Sequence, residues 1–308
     1  MGAARGGAGL AYWVPMYPET ALSHLQALER PRAIVEPVLE GFLVARMEEM
    51  AAIDRRAAAL VGEILRLLAA GGKRIRPAFC YWGYRAGGGT EDATIAKAAA
   101  ALELFHTFAL IHDDLMDESD RRRGVPSVHV RLAEDHPGPA DRAERYGRSG
   151  AILIGDLAAV LADELLLASE VPADRLLAAL RRYDQMRIEV AAGQFLDVAG
   201  VARDEPSALR VAALKTGAYT VEGPLHIGAI LAGASLEAMA GLSAYARPLG
   251  EAFQLRDDVL DHGEGSAPGA TAATVDELLD RADAALDGPH LVPEAVAALR
   301  SLGGALRL

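Results

Sequence analysis

The sequence predicts an all-α fold, read as one bundle of about ten helices joined by short loops. Three observations predict it. From about residue 20 onward Ala, Leu, Glu and Arg dominate, and these are strong helix formers. Apolar residues recur at helical spacing over long stretches. No alternation of strand and helix patterns and no fixed repeat interrupts them.

The elements follow in order. Residues 1–19 are rich in Gly and Pro and are expected to form an irregular arm ahead of a domain spanning 20–308. Val35, Val38, Leu39, Phe42 and Leu43 draw the first apolar stripe. Leu60, Ile64, Leu65, Leu67 and Leu68 draw the second, which stops at Gly71-Gly72. The runs 91–117, 149–169, 172–198 and 206–262 keep the helical period. Gly87-Gly88-Gly89, His136-Pro137-Gly138-Pro139, Val171-Pro172, Glu205-Pro206 and the stretch from Gly263 to Pro268 break them. The segments 151–167 and 221–236 are apolar around most of their circumference, which places a helix at the centre of a bundle or at a subunit interface.

Composition removes several function classes. The 308 residues carry 31 Lys and Arg against 43 Asp and Glu, a net charge of −12, which argues against a nucleic-acid binder held by bulk charge. Cys80 is the lone cysteine, so neither a disulfide framework nor a thiolate metal cluster can form. The most apolar runs are interrupted by Glu103, His106 and Asp156, so no membrane span is expected, and the N-terminus makes a poor signal peptide. A cytoplasmic protein is the expectation.

The strongest chemical signal is a pair of acidic clusters, Asp113-Asp114-Leu115-Met116-Asp117 and Asp257-Asp258-Val259-Leu260-Asp261, each following an apolar helical run. The first and last Asp of each lie four apart and share a helix face, where like charges repel. A bound cation compensates that repulsion. Oxygen-only ligands that keep several waters suit Mg²⁺, commonly shared with substrate phosphates. A solvated acidic helix end is the plainer reading of one such cluster, but two of them favour a metal site. Bases lie close by. Gly71-Gly72-Lys73-Arg74-Ile75-Arg76-Pro77 stops one helix and starts another, and its free backbone N–H groups with Lys73, Arg74 and Arg76 make an anion site. Arg121-Arg122-Arg123 follows the first acidic cluster, which fits a metal–diphosphate held from two sides. His106 sits two turns before Asp113 on the same face, and His112 and His129 have weaker claims. Lys215, followed by Thr216, lies inside a helical run and calls for an anionic partner. Gln254 lies one turn before Asp257.

The chain resembles the trans-isoprenyl diphosphate synthases of the polyprenyl synthetase family. The matching segments are GGKRIRP (71–77), ELFHTFALIHDDLMDESDRRRGVPSVH (103–129), GDLAAVLADELL (155–166), GQFLDV (193–198), KTGAYTVEGPLHIGAILAG (215–233) and FQLRDDVLD (253–261), which together run over most of 33–262. The resemblance implies an all-α fold with a central cavity, a homodimer, and Mg²⁺-dependent condensation of isopentenyl diphosphate with an allylic diphosphate. Carried over residue by residue, Asp113, Asp114, Asp117, Asp257, Asp258 and Asp261 would hold Mg²⁺. Of these, Asp113, Asp117 and Asp257, with Lys215, would carry the catalysis. Arg122, Lys215, Thr216 and Gln254 would contact the allylic diphosphate. Lys73, Arg76, His106 and Arg123 would hold isopentenyl diphosphate. Phe108 and Ala109, five and four residues before Asp113, would set product length, with geranylgeranyl diphosphate favoured and farnesyl diphosphate next.

One departure stands out. After the second cluster the family continues with a segment carrying two Gly-Lys pairs, whereas here no lysine follows Asp261, so that segment has no counterpart near 262–273. A class I terpene cyclase would need a second metal motif of different form, which is absent. A non-catalytic partner subunit would be expected to lose acidic positions, yet all six aspartates are present.

Overall fold

The computed structural model describes residues 19–201, 207, 210, 211, 213–262, 271–288 and 290–307. Residues 1–18 and 263–270, and with them the expected arm and most of the shortened segment, lie outside the described residues. So do the side chains of Thr216, Asp258 and Asp261.

Among the described residues the fold is all-α, as the sequence predicts, with eleven α-helices and one π-helical segment. α1 runs Glu19–Ile53 and contains Pro31 and Pro37, each of which removes one ladder hydrogen bond from an otherwise continuous rod. α2 (Ala58–Ala69) ends before the predicted Gly71-Gly72 break, and α3 (Ile75–Ala86) begins with Pro77 in its first turn. α4 (Asp92–Met116) carries the first acidic cluster at its C-terminus. A short antiparallel pair, β1 (Arg121–Arg122) and β2 (Val125–Pro126), leads into α5 (Val128–Glu134). α6 (Ala140–Leu167) and α7 (Ala173–Val198) follow. The π-helical segment Ala213–Glu222 runs into α8 (Gly223–Ala232), and α9 (Leu236–His262) carries the second acidic cluster. α10 (Ala272–Ala285) and α11 (Pro293–Gly304) complete the bundle.

Two boundaries differ from expectation for physical reasons. α6 starts at Ala140, nine residues before the apolar run, because Pro139 ends the preceding loop and the charged 141–148 stretch buries Ala143 and Gly147, the latter against α5. The run 206–262 is not one helix. Gly233, at φ +77°, caps α8 in the left-handed region and turns the chain into α9.

α4 lies at the centre of the bundle and packs against α1, α3, α6 and α8. By length and composition it is apolar enough to cross a membrane, but 67% of its most apolar window is buried against other helices. It is the core helix of this bundle. α9 meets the π-helical segment at Gly250 and Gly217. A Cβ on Gly250 would stand 2.9 Å from the Gly217 Cα, so the two backbones touch where neither carries a side chain.

A polar cluster joins α7, α8 and α9. His226 Nε2 lies 2.9 Å from Ser243 Oγ, and that hydroxyl donates to the Met239 carbonyl at 3.0 Å. Arg182 Nε points at His226 Nδ1 from 3.4 Å, so the imidazole is the Nε2–H tautomer, donating to a serine whose own proton is committed elsewhere. The pair is structural, not a nucleophile and its base. Burial, then the charges of Arg182 and Arg247, push the His226 pKa down to about 4. A depressed folded-state pKa gives stability that is full above the unfolded value of about 6.5 and is lost as pH falls toward 4. Unfolding free energy should therefore drop by roughly 3 kcal/mol across that window on account of this group. Urea titrations from pH 7 to pH 4 should show the slope, and His226→Gln should flatten it.

Candidate functional site

The site is built around the C-terminal half of α4. Asp117 follows the helix as its cap, and its N–H donates to the Asp113 carbonyl at 2.8 Å, so the two carboxylates sit one turn apart. Below Asp113 opens an apolar cavity of about 660 Å³, walled by α4, α6, α7 and the π-helical segment. Phe105, Phe108 and Ala109 line it from α4, and Val190, Phe195 and Val198 from α7. Arg76, His106, Asp113, Gln194 and Lys215 bring polar atoms to its wall.

The carboxylate at the mouth is held by cations and an amide. Lys215 Nζ lies 2.7 Å from Asp197 Oδ2 and 3.6 Å from Asp113 Oδ1, and Gln194 Nε2 donates to Asp113 Oδ1 at 3.1 Å. Burial acts to lower the Lys215 pKa, but the Asp197 hydrogen bond and the charges of Asp113 and Asp117 outweigh it, and the net direction is upward. Burial and the Asp113 charge raise the Asp117 pKa, the expected signature of two carboxylates that repel.

Asp114 departs from its expected place. It is buried, ion-paired to Arg122 and absent from the cavity wall, because residue i+1 on a helix points away from i. Arg122 Nε donates to Asp114 Oδ1 at 2.7 Å and its Nη2 lies 4.0 Å from Asp113 Oδ2, so Arg122 stands beside the first cluster.

Behind α4 is a second basic group. Arg76 stacks on the Tyr219 ring at 4.0 Å and donates to Thr220 Oγ1 at 2.9 Å. His106 Nδ1 lies 2.6 Å from the Tyr219 hydroxyl. Burial, then the charges of Arg76, Arg123, Arg122 and Arg74, hold its pKa well below the ordinary value, so the imidazole is neutral at pH 7. Lys73 is exposed on the loop before α3. Arg74, placed in the anion site by the sequence, is instead a core residue: it is 3% exposed, and it donates to buried Glu103 Oε1 at 2.8 Å and to Glu36 Oε1 at 2.9 Å. Arg123 Nη2 lies 3.7 Å from the same Glu103 oxygen.

The second cluster is reached through α9. Asp257 lies two turns, and Gln254 about one, beyond Gly250, so both sit on the face that Gly250 presents to the π-helical segment two residues from Lys215. Gln194, Asp197, Tyr219 and Glu103 were given no role by the sequence reading, although each lies in a segment that carried the resemblance. The acid of Glu103 inside an apolar run was the one signal available.

A Mg²⁺ ion fits the donor set at the mouth, which is all oxygen and already contains two mutually repelling carboxylates with an ammonium drawn to one of them. Among the described residues no three acidic or imidazole side chains gather into a closed cage, and an open set suits a cation that keeps waters and shares a phosphate.

Comparison with known proteins places the chain in a family and matches its fold. The pattern of the polyprenyl synthetase family matches residues 58–268. The chain is 38% identical over 198 residues to a geranylgeranyl diphosphate synthase of Methanosarcina mazei, covering 63% of this chain and 56% of that protein. It is 35% identical over 208 residues to a geranylfarnesyl diphosphate synthase of Aeropyrum pernix, covering 65% of this chain and 61% of that one. The matches thus span less than two thirds of the length of these curated relatives. The crystal structure of a geranylgeranyl pyrophosphate synthase from Corynebacterium glutamicum, complexed with isoprenyl diphosphate and magnesium, superposes with a TM-score of 0.81 at 28% identity over 91% of this chain and 99% of that chain.

The Glu103 ion pairs yield a stability prediction. Removing one partner of a buried pair strands the other, which costs about 3–5 kcal/mol. Glu103→Ala should lower the urea midpoint accordingly. The double variant Glu103→Met with Arg74→Met should lose much less than the sum of the singles.

Proposed function

The chain belongs to the polyprenyl synthetase family, and from that premise we propose that it condenses isopentenyl diphosphate with an allylic diphosphate to make a short all-trans prenyl diphosphate. The observation that carries the proposal is the polar mouth on an apolar cavity. Asp113 and Lys215 stand at its rim, and carbon side chains line what lies beneath. Diphosphate belongs at such a mouth and a hydrocarbon tail below it.

In this reading Asp113 and Asp117 from one side and Asp257 from the other hold Mg²⁺ against the allylic diphosphate, with Asp258 and Asp261 supporting. Magnesium supplies positive charge against the leaving diphosphate. Arg122, Lys215, Thr216 and Gln254 bind the remaining oxygens and stabilise the charge that develops as the allylic C–O bond breaks. Lys73, Arg76 and Arg123 bind isopentenyl diphosphate as cations, and neutral His106 donates one N–H. The alkene attacks the allylic cation, and the proton lost from the new carbon skeleton passes to the released diphosphate. The apolar wall of Phe105, Phe108 and Val190 keeps water from the cation.

Phe108 is the proposed floor. It lines the cavity beside Phe105, their ring centroids 5.4 Å apart. One large residue here supports a product no longer than geranylgeranyl diphosphate, with farnesyl diphosphate next in order.

A homodimer is part of the proposal. Tyr146, Leu153, Val160 and Leu167 on α6 are each half or more exposed, and their seven-residue spacing draws one narrow apolar seam. A contiguous exposed seam of this kind fits burial against a second copy.

Three measurements test the reading. Purified protein incubated with labelled isopentenyl diphosphate, allylic primers and Mg²⁺ should yield prenyl diphosphate, and excess EDTA should abolish turnover. Asp113→Ala and Asp257→Ala should each lower kcat by roughly a thousandfold or more with an unchanged helical circular-dichroism spectrum. Undiminished turnover in EDTA would overturn it. Phe108→Ala should lengthen the product, read by reversed-phase chromatography of the dephosphorylated alcohols.

A further inference from the structure

The floor residue does not stand alone. Phe108 meets His112, one turn further along α4, with ring centroids 4.8 Å apart in an edge-to-face arrangement. His112 in turn reaches α6, where its Nε2 lies 3.2 Å from the Ile152 carbonyl and 3.8 Å from Asp156 Oδ1. Its ring occupies the space that the missing side chain of Gly155 leaves. A Cβ built on Gly155 would stand 2.3 Å from His112 Cδ2 and Nε2, closer than any real contact allows. Ala159, one turn further along α6, is part of the cavity wall. Phe108, His112 and Gly155 therefore form a column running from the cavity floor into the α4–α6 contact, and His112, like Phe108, shows one side to the cavity.

We infer that His112 is a positioning residue for product length, and that the gap at Gly155 sets how far Phe108 projects into the cavity. The inference rests on the reading of Phe108 as the floor. Packed interiors transmit displacement because they hold few voids, so a shift at one end of the column appears at the other. A methyl group on Gly155 drives the His112 ring away from α6, toward Phe108 and the cavity that both line. Phe108 then projects further and the cavity becomes shallower. Removing the imidazole does the opposite, because Phe108 can fall back into the vacated space. The two changes should move product length in opposite directions, although neither alters Phe108 itself.

The test compares four variants of the full chain with the unaltered protein at equal conversion, reading the ratio of shorter to longer prenyl products. Gly155→Ala should shift the ratio severalfold toward the shorter product, and His112→Ala severalfold toward the longer. His112→Phe, which keeps a ring in the gap, should restore the unaltered ratio. Phe108→Ala is the reference that separates the two levels of the argument. If it lengthens the product while Gly155→Ala and His112→Ala leave the ratio unchanged, the column is overturned and the floor stands. If Phe108→Ala has no effect either, the floor reading fails and the column with it. A change in overall turnover or thermal midpoint without a change in ratio would assign His112 and Gly155 a merely structural role and overturn the inference. Should Gly155→Ala fail to fold, the opposed outcomes of His112→Ala and His112→Phe decide it.

Discussion

The structure turns on one buried carboxylate. Glu103 is 1% exposed in the middle of α4, the central helix that α1, α3, α6 and α8 pack against. An unpaired charge there would cost far more than the fold could sustain. Burial raises its pKa, and the guanidinium charges of Arg74, Arg123 and Arg76 oppose that rise. Two of those arginines have left-handed backbone, each at φ +52°, a conformation that disfavours side chains with a Cβ. Arg74 closes the loop before α3, and Arg123 closes the turn of the hairpin after α4. One carboxylate thus holds two strained turns against one helix. Arg74 also donates to the Leu68 carbonyl and to Glu36, tying in the end of α2 and the face of α1.

From that anchor the polar groups sort by depth. Arg74 is used up in the core, which leaves exposed Lys73 and cavity-facing Arg76 as the outward members of the same short segment. In the hairpin, adjacent arginines take opposite tasks: Arg122 turns to the first acidic cluster and Arg123 to Glu103. Burial, and after it the charges of the surrounding guanidinium groups, keep the His106 imidazole neutral, so it enters the site as a hydrogen-bond donor and acceptor and adds no further positive charge.

Much of the fold was legible because helices announce themselves by period and breaks by Gly and Pro. The end of α2, the extent of α4 and the span of α7 follow the reading closely. The first acidic cluster was legible too, since i, i+4 spacing fixes a shared face without any tertiary knowledge. What escaped were facts about partners. Whether Arg74 serves a ligand or the core depends on Glu103, 29 residues away, and whether Asp114 faces the cavity depends on Arg122. Gln194 and Asp197 reach Asp113 and Lys215 from a different helix, and no local pattern carries that distance. The π-helical segment was equally hidden. Its residues read as ordinary helix, and contacts distant in sequence, among them the Gly217–Gly250 backbone approach and the Lys215–Asp197 pair, give that stretch its particular place.

α6 presents two working faces. Its outward seam of Tyr146, Leu153, Val160 and Leu167 lies roughly a third to a half of a turn around the rod from Gly155 and Ala159, which face α4 and the cavity. A single rod of 28 residues is therefore answerable to two kinds of selection at once. Under the proposed function, a substitution that rotates or shifts it to suit a second copy on the seam also shifts the cavity wall that would measure a growing chain. Neither trait can drift freely, and lineages that change one inherit a change in the other.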